Sequence, residues 1–99
     1  MTFERINGDG EVTVRIMGAL DASSVSSLKE ALEKLAAEQP ARVVCDLSSL
    51  RLIDSAGVGS IVALYKRMQT YGGVLKVTGL RDQPLAIFKV LRLERVFDV

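Results

Sequence analysis

Between Glu11 and Met17 the chain alternates, with Val12, Val14 and Ile16 apolar and Thr13 and Arg15 polar. Period-two alternation is the pattern of a half-buried strand, whose successive side chains point to opposite faces. Thr2 to Ile6 reads as a second strand. The Asn7-Gly8-Asp9-Gly10 step between them contains two dipeptides that favour the positive φ angles of tight hairpin turns. These two strands are therefore expected to pair antiparallel. After Leu20 the apolar spacing changes to three and four. Val25, Leu28, Leu32 and Leu35, with Ala31 and Ala36, form the stripe of a helix that opens within residues 21–27 and runs to about Gln39. Ser23 or Ser24 is its candidate cap, and Pro40 ends it.

From Arg42 to Lys66 the pattern switches twice. Val43, Val44, Cys45 and Leu47 make a short, β-branched apolar run, a buried strand. Val58, Ile61, Val62, Tyr65 and Met68 then repeat at helical spacing. A connecting loop between them ends in Asp54-Ser55-Ala56-Gly57, which places a hydroxyl at or beside a helix N-terminus. The first backbone N–H groups of a helix lack intrahelical partners, and the helix dipole is positive there. Such a position suits a capping serine, and it equally accommodates a phosphate. Further on, the Gly72-Gly73 turn leads into a strand with Val74, Leu75 and Val77. Pro84 stands in the first turn of a third helix that carries Leu85, Phe88 and Leu91 inward, and a last short strand or helical turn ends at Val99. Strand–helix–strand connections of this length imply a mixed, mostly parallel sheet with right-handed crossovers, edged by the N-terminal hairpin, with helices packed on it.

Composition narrows the function classes. Ninety-nine residues suit one domain, 1–99, with one hydrophobic core. The net charge is +1 with both signs interspersed, which argues against a nucleic-acid arm or a polybasic membrane patch. No apolar run approaches the roughly 18 residues of a membrane span, and the first residues lack a signal-peptide core, so a cytoplasmic location without membrane insertion is expected. Cys45 is the lone cysteine and reads as a small buried apolar residue. Histidine is absent, which removes the commonest general base and metal ligand, and with them any Ser-His-Asp relay for Ser55. Lys66 and Lys76 have no helical spacing that sets them beside Ser55. Glu30 and Glu33 fall on a solvent face beside Lys29 and Lys34. Gly57-Val58-Gly59 lacks the third glycine of a dinucleotide fingerprint, because Val62 stands there, and no phosphate-loop Gly-Lys-Ser/Thr follows. The glycines are expected to permit close packing where helix meets sheet. No metal, cofactor or catalytic residue is expected.

The segment Asp46-Leu47-Ser48-Ser49-Leu50, followed by Ile53-Asp54-Ser55-Ala56-Gly57-Val58-Gly59, resembles the signature of the STAS superfamily, in particular its bacterial anti-sigma factor antagonists. Gly18-Ala19-Leu20-Asp21 resembles the family's G-x-L-D step, and Leu93-Glu94-Arg95-Val96-Phe97 its usual ending. The three stand in the expected order across nearly the whole chain. In that family a D-[ST]-x-G step follows the third strand, and its hydroxyl residue is phosphorylated by a partner kinase. The resemblance implies that Ser55 is the phosphoacceptor. It also implies that Asp21, Asp54, Ser55, Ala56, Gly57 and Val58 form a partner-binding surface.

On that reading the unphosphorylated domain binds an anti-sigma factor or serine kinase and frees a sigma factor. Phosphorylation of Ser55 ends the binding, and a serine phosphatase resets the switch. From the residues alone, Asp21 suits a helix cap as well as a contact, and Asp54 suits a turn or the orientation of the Ser55 hydroxyl. Leu50, Leu52 and Ile53 are expected in or near the core, although one exposed apolar residue there would suit an interface. Two other roles share the resemblance. One is a STAS subunit of a membrane lipid transporter, which Ala56-Gly57 favours and Tyr65-Lys66-Arg67 disfavours. The other is a scaffold subunit of a signalling assembly.

Overall fold

A computed structural model describes residues 1–98. Strands β1 (Thr2–Gly8) and β2 (Glu11–Leu20) form the expected antiparallel hairpin, in register from Gly8↔Glu11 to Thr2↔Met17. Gly10 takes φ +70° in the turn, a conformation that a β-carbon disfavours. Helix α1 (Val25–Ala37) follows and stops where Gln39 turns left-handed at φ +52°, one residue before Pro40. Strand β3 (Arg42–Asp46) pairs parallel with β2, and β5 (Val74–Thr78) pairs parallel with β3. Between them lies helix α2 (Ser55–Gln69).

The expected loop between β3 and α2 is in part a strand. β4 (Leu50–Ile53) runs parallel to the far end of β2, from Gly18↔Leu50 to Leu20↔Ile53. It occupies the same side of β2 as β3, beyond a break at residues 47–49, so the hydroxyl step follows the fourth strand and not the third. Its pattern conceals it. Leu50 and Ile53 are buried while Arg51 and Leu52 are exposed, so the period-two signal is lost. Pairing with β2 holds it as a strand even so. β2 accommodates the change of partner through a register shift between Gly18 and Ala19, and Gly18 takes φ +86°.

The core gathers Val12, Val14 and Ile16 of β2, Val43 and Cys45 of β3, and Leu75 and Val77 of β5 with the apolar stripes of α1 and α2. In α2 the buried positions are Val58, Ile61, Leu64 and Met68, while Val62 and Tyr65 are half-buried. Cys45 is fully enclosed, and desolvation pushes its thiol up to about 12. Helix α3 (Asp82–Val90) buries Pro84 and Phe88 and leaves Leu85 half-buried. Leu91 departs from expectation. The helix ends at Val90, Arg92 turns left-handed at φ +58°, and Leu91 at the C-cap is 43% exposed. The final element is a helical turn, α4 (Glu94–Phe97), and the expected terminus at Val99 lies outside the described residues. Phe97 packs edge-on against Phe88 and Tyr65, at ring centroid distances of 5.8 and 5.3 Å, which ties α3 and α4 to α2.

Candidate functional site

The site forms where β2 and β4 end side by side and α1 and α2 begin. Parallel pairing of Leu20 with Ile53 brings the next residues, Asp21 and Asp54, to the same end of the sheet. Asp54 N–H donates to the Leu20 carbonyl at 3.2 Å, extending the ladder by one bond. Asp54 is the N-cap of α2, with extended backbone (φ −106°, ψ −177°). One of its carboxylate oxygens, Oδ1, accepts from Gly57 N–H at 3.0 Å, as a capping side chain does. The other, Oδ2, accepts from Ala22 N–H at 3.0 Å, in the loop between β2 and α1. Asp54 thus caps one helix and ties down the approach to the other. Its oxygens face backbone amides and not the Ser55 hydroxyl, so its positioning role runs through the main chain.

Ser55 is the first helical residue of α2 and is exposed. The capping interpretation of this serine is therefore replaced, because Asp54 fills that position. Ser55 stands beside the positive end of the helix dipole with its hydroxyl free to meet solvent or a partner. Of its neighbours, Ser60 is 5% exposed and donates to the Gly57 carbonyl at 2.7 Å. Ser48 is exposed but lies at the break between β3 and β4, with Oγ donating to Asp46 Oδ1 at 2.7 Å.

Asp21 engages only local groups. Its Oδ1 accepts from Ser23 Oγ at 2.6 Å, Ser23 N–H at 3.0 Å and Ser24 Oγ at 3.2 Å. The hydrogen bond from the Ser23 hydroxyl is the leading cause that holds the carboxyl below its ordinary value, against opposing desolvation and with further help from Ser24. Ser24 stands at the N-cap of α1 but provides no side-chain cap; its hydroxyl turns back towards Asp21 and the Ala19 carbonyl. Asp21 is therefore a loop-ordering anion with its second oxygen outside these bonds.

The remaining predicted site residues divide by depth. Ala56 is half-buried at the surface of α2, whereas Gly57 and Val58 lie beneath it, Val58 at 2% exposure. A β-carbon on Gly57 would stand 2.7 Å from Ile53 Cγ1 and 2.8 Å from Leu20 Cγ. This glycine lets α2 sit directly on the paired ends of β2 and β4. Gly59 has open space where a β-carbon would be, so the packing expectation holds for the first glycine alone. Leu52 is the exposed apolar residue of the β4 segment, at 51%, while Leu50 and Ile53 are core. It borders an open cleft of about 250 Å³ whose lining includes Ala19, Asp21, Asp54 and Gln83. Gln83, reaching in from α3, is the site residue that sequence reasoning missed; nothing in its local pattern marks it.

Among the described residues, no group of three or more histidine, cysteine, aspartate or glutamate side chains is arranged to hold a metal ion. No helix there is long and apolar enough to cross a membrane.

A protein-family model described as "Mlab, STAS domain" matches residues 5–98. The anti-sigma-B factor antagonist of Bacillus subtilis (strain 168) is 31% identical over 91 residues, 92% of this chain and 83% of that protein. Among solved structures, an anti-sigma factor antagonist from Mycobacterium paratuberculosis superposes with TM-score 0.85 at 22% identity, over 97% of this chain and 81% of the other. The Bacillus cell fate determinant SpoIIAA in its phosphorylated form superposes with TM-score 0.78 at 17% identity, covering 95% and 86%. At these identities the two structures establish a shared fold.

Proposed function

This chain belongs to the STAS domain family, and we propose that within it the chain acts as an anti-sigma factor antagonist switched by phosphorylation of Ser55. The observation that carries the proposal is the placement of Ser55. It is an exposed hydroxyl on the first residue of a helix whose cap is already supplied by Asp54. The hydroxyl is thus spared structural work and presented at a helix end that tolerates a phosphate. The sequence similarity to an anti-sigma-B factor antagonist supplies the partner class.

The unphosphorylated surface around Asp21, Asp54, Ser55 and Ala56 docks on an anti-sigma factor with serine kinase activity, and the sigma factor is released. Gly57 and Val58 support that surface from below. Phosphoserine brings about −1.5 to −2 charges. These add to the carboxylates of Asp21 and Asp54 at the same end of the sheet. A like-charge clash at such an interface costs several kcal/mol, a hundredfold or more in affinity. The fold itself is spared, because the new charge faces a positive helix end. A serine phosphatase restores the hydroxyl. The switch operates in the cytoplasm.

The domain is a binding module and not an enzyme on this reading. The chain has no histidine, and Lys66 lies eleven positions along α2 from Ser55, roughly 16 Å at the helical rise. Affinity capture from the source cell with the wild-type domain, followed by phosphopeptide mapping with the captured kinase and ATP, tests the proposal. Label on Ser55 that disappears in Ser55→Ala is the expected result. Label persisting on Ser48, or capture of a transporter complex or a megadalton scaffold in place of a kinase, would overturn it.

A further inference from the structure

We propose that Gln83 is a positioning residue for Ser55, holding the end of β4 in place of an absent strand; this deepens the switch proposed above and rests on it. β5 ends at Thr78, with Leu47 N–H donating to the Thr78 carbonyl at 2.8 Å as the last rung on that side. β4 lies beyond this point and, among the described residues, pairs with β2 alone, so its other edge has no strand neighbour there. An open edge leaves backbone donors and acceptors unpaired; burial of Leu50 and Ile53 anchors the strand through its side chains but does not satisfy them. The Gln83 side chain fills that gap. Its Nε2 donates to the Ile53 carbonyl at 2.9 Å, and its Oε1 accepts from Ile53 N–H at 2.9 Å. A side-chain primary amide offers one donor and one acceptor side by side, and here it supplies both partners that a neighbouring strand would have supplied.

A second feature of the chain serves the same contact. Asp82, the residue before Gln83, has φ +52°, in the left-handed region that aspartate visits more readily than most side chains. This turn brings the first residues of α3 onto the edge of β4. Ile53 is followed by Asp54 and Ser55 without an intervening flexible residue, and Asp54 is itself bonded to Leu20 and Ala22 on the β2 side. The main chain entering α2 is therefore gripped from both flanks, by β2 and the β2–α1 loop on one and by Gln83 on the other. Removing one grip lets the Asp54–Ser55 step move relative to the rest of the docking surface. A phosphoacceptor hydroxyl displaced by about 1 Å reacts on the order of a hundredfold more slowly in unfavourable cases.

The test substitutes Gln83→Met, which keeps length and bulk but cannot form the paired bonds. The matched control is Tyr71→Phe, which deletes a tertiary hydrogen bond of 3.0 Å to the Pro40 carbonyl at the opposite end of the sheet. Amide hydrogen exchange is read on both domains, and phosphorylation kinetics are read with the captured kinase and ATP. In Gln83→Met, Ile53 N–H is expected to exchange at least about tenfold faster. The kcat for Ser55 phosphorylation should fall about tenfold with KM within about threefold. Tyr71→Phe should leave both unchanged. Unaltered Ile53 protection would overturn the proposal. So would equal slowing by the two variants, which would make the effect one of general stability. A rise in KM at constant kcat would make Gln83 a partner contact and not a positioning residue. If the wild-type domain is not phosphorylated at all, the switch itself fails, and the exchange measurement still decides whether Gln83 holds β4.

Discussion

The two helices that begin beside the paired ends of β2 and β4 start in opposite ways. α2 opens on Asp54, whose carboxylate caps its own helix and also holds the neighbouring loop. α1 opens on Ser24, whose hydroxyl turns away from the helix and leaves its N-terminus without a side-chain cap. The side chain of Asp21, the aspartate of that second loop, orders Ser23 and Ser24 and bonds to no other element among the described residues. One aspartate is thus a joint between elements, and the other is a surface feature kept rigid by its own loop. The contrast separates residues that build the proposed switch site from residues that would present it, although both occur in the motifs that resemble the family.

Four measurements break or sharpen that contrast. The largest effect is expected for presentation. Ser55→Asp should weaken partner binding by about a hundredfold or more by calorimetry, and phosphorylation should weaken it further, because phosphate carries nearly twice the charge. The melting temperature should move by less than about 5 °C, or roughly 1 kcal/mol. A larger fall would mean that Ser55 builds the site as well as presenting it.

Next come the two glycines of α2, which the structure sets apart. Gly57→Ala forces a β-carbon against Leu20 and Ile53 and should destabilise the domain by about 1–3 kcal/mol in urea unfolding. Gly59→Ala enters open space in a helix interior and should stabilise it by about 0.5–1 kcal/mol. Equal responses would contradict the close seating of α2 on the sheet.

Asp54→Ala removes a cap and an inter-element bond together and should lower stability by about 1–2 kcal/mol. Asp21→Ala should lower it distinctly less while weakening partner binding more than its stability effect explains. A greater stability loss at Asp21 would reverse the division drawn between them.

The smallest effect is in acid. The Asp21 carboxyl is held low in the fold, so its contribution is present above the unfolded value of about 3.9 and is lost as pH falls through the lowered folded value. Asp46 shifts in the same direction, led by its hydrogen bond from Ser48. Asp21→Asn should therefore reduce the slope of stability against pH below about pH 4 without abolishing it. An unchanged slope would show that the Ser23 and Ser24 bonds do not distinguish the folded carboxylate.

Local chemistry made much of this legible in one dimension. The hairpin is written in Asn7-Gly8-Asp9-Gly10, the strand faces in the alternation of β2, and α1 and α2 in their apolar spacing; each depends on near neighbours in the chain. The pairing of an acidic residue with a hydroxyl at a helix start was likewise visible at Asp54-Ser55. β4 was hidden because Arg51 and Leu52 are both exposed, and a four-residue segment becomes a strand only when β2 offers it a ladder. The inward expectation for Leu91 failed because helical spacing does not reveal where a helix stops, and the left-handed turn at Arg92 stops α3 first. Which of Asp54 and Ser55 would cap α2 depended on the backbone angles at the end of β4. The grip of Gln83 on Ile53, thirty residues away, depends on a gap in the sheet that has no trace in either segment. Periodicity and turn chemistry are properties of neighbours along the chain, so the sequence by itself determined the hairpin, α1, α2 and the motif. Caps, edges and burial depth are properties of neighbours in space, and only the tertiary structure decided them.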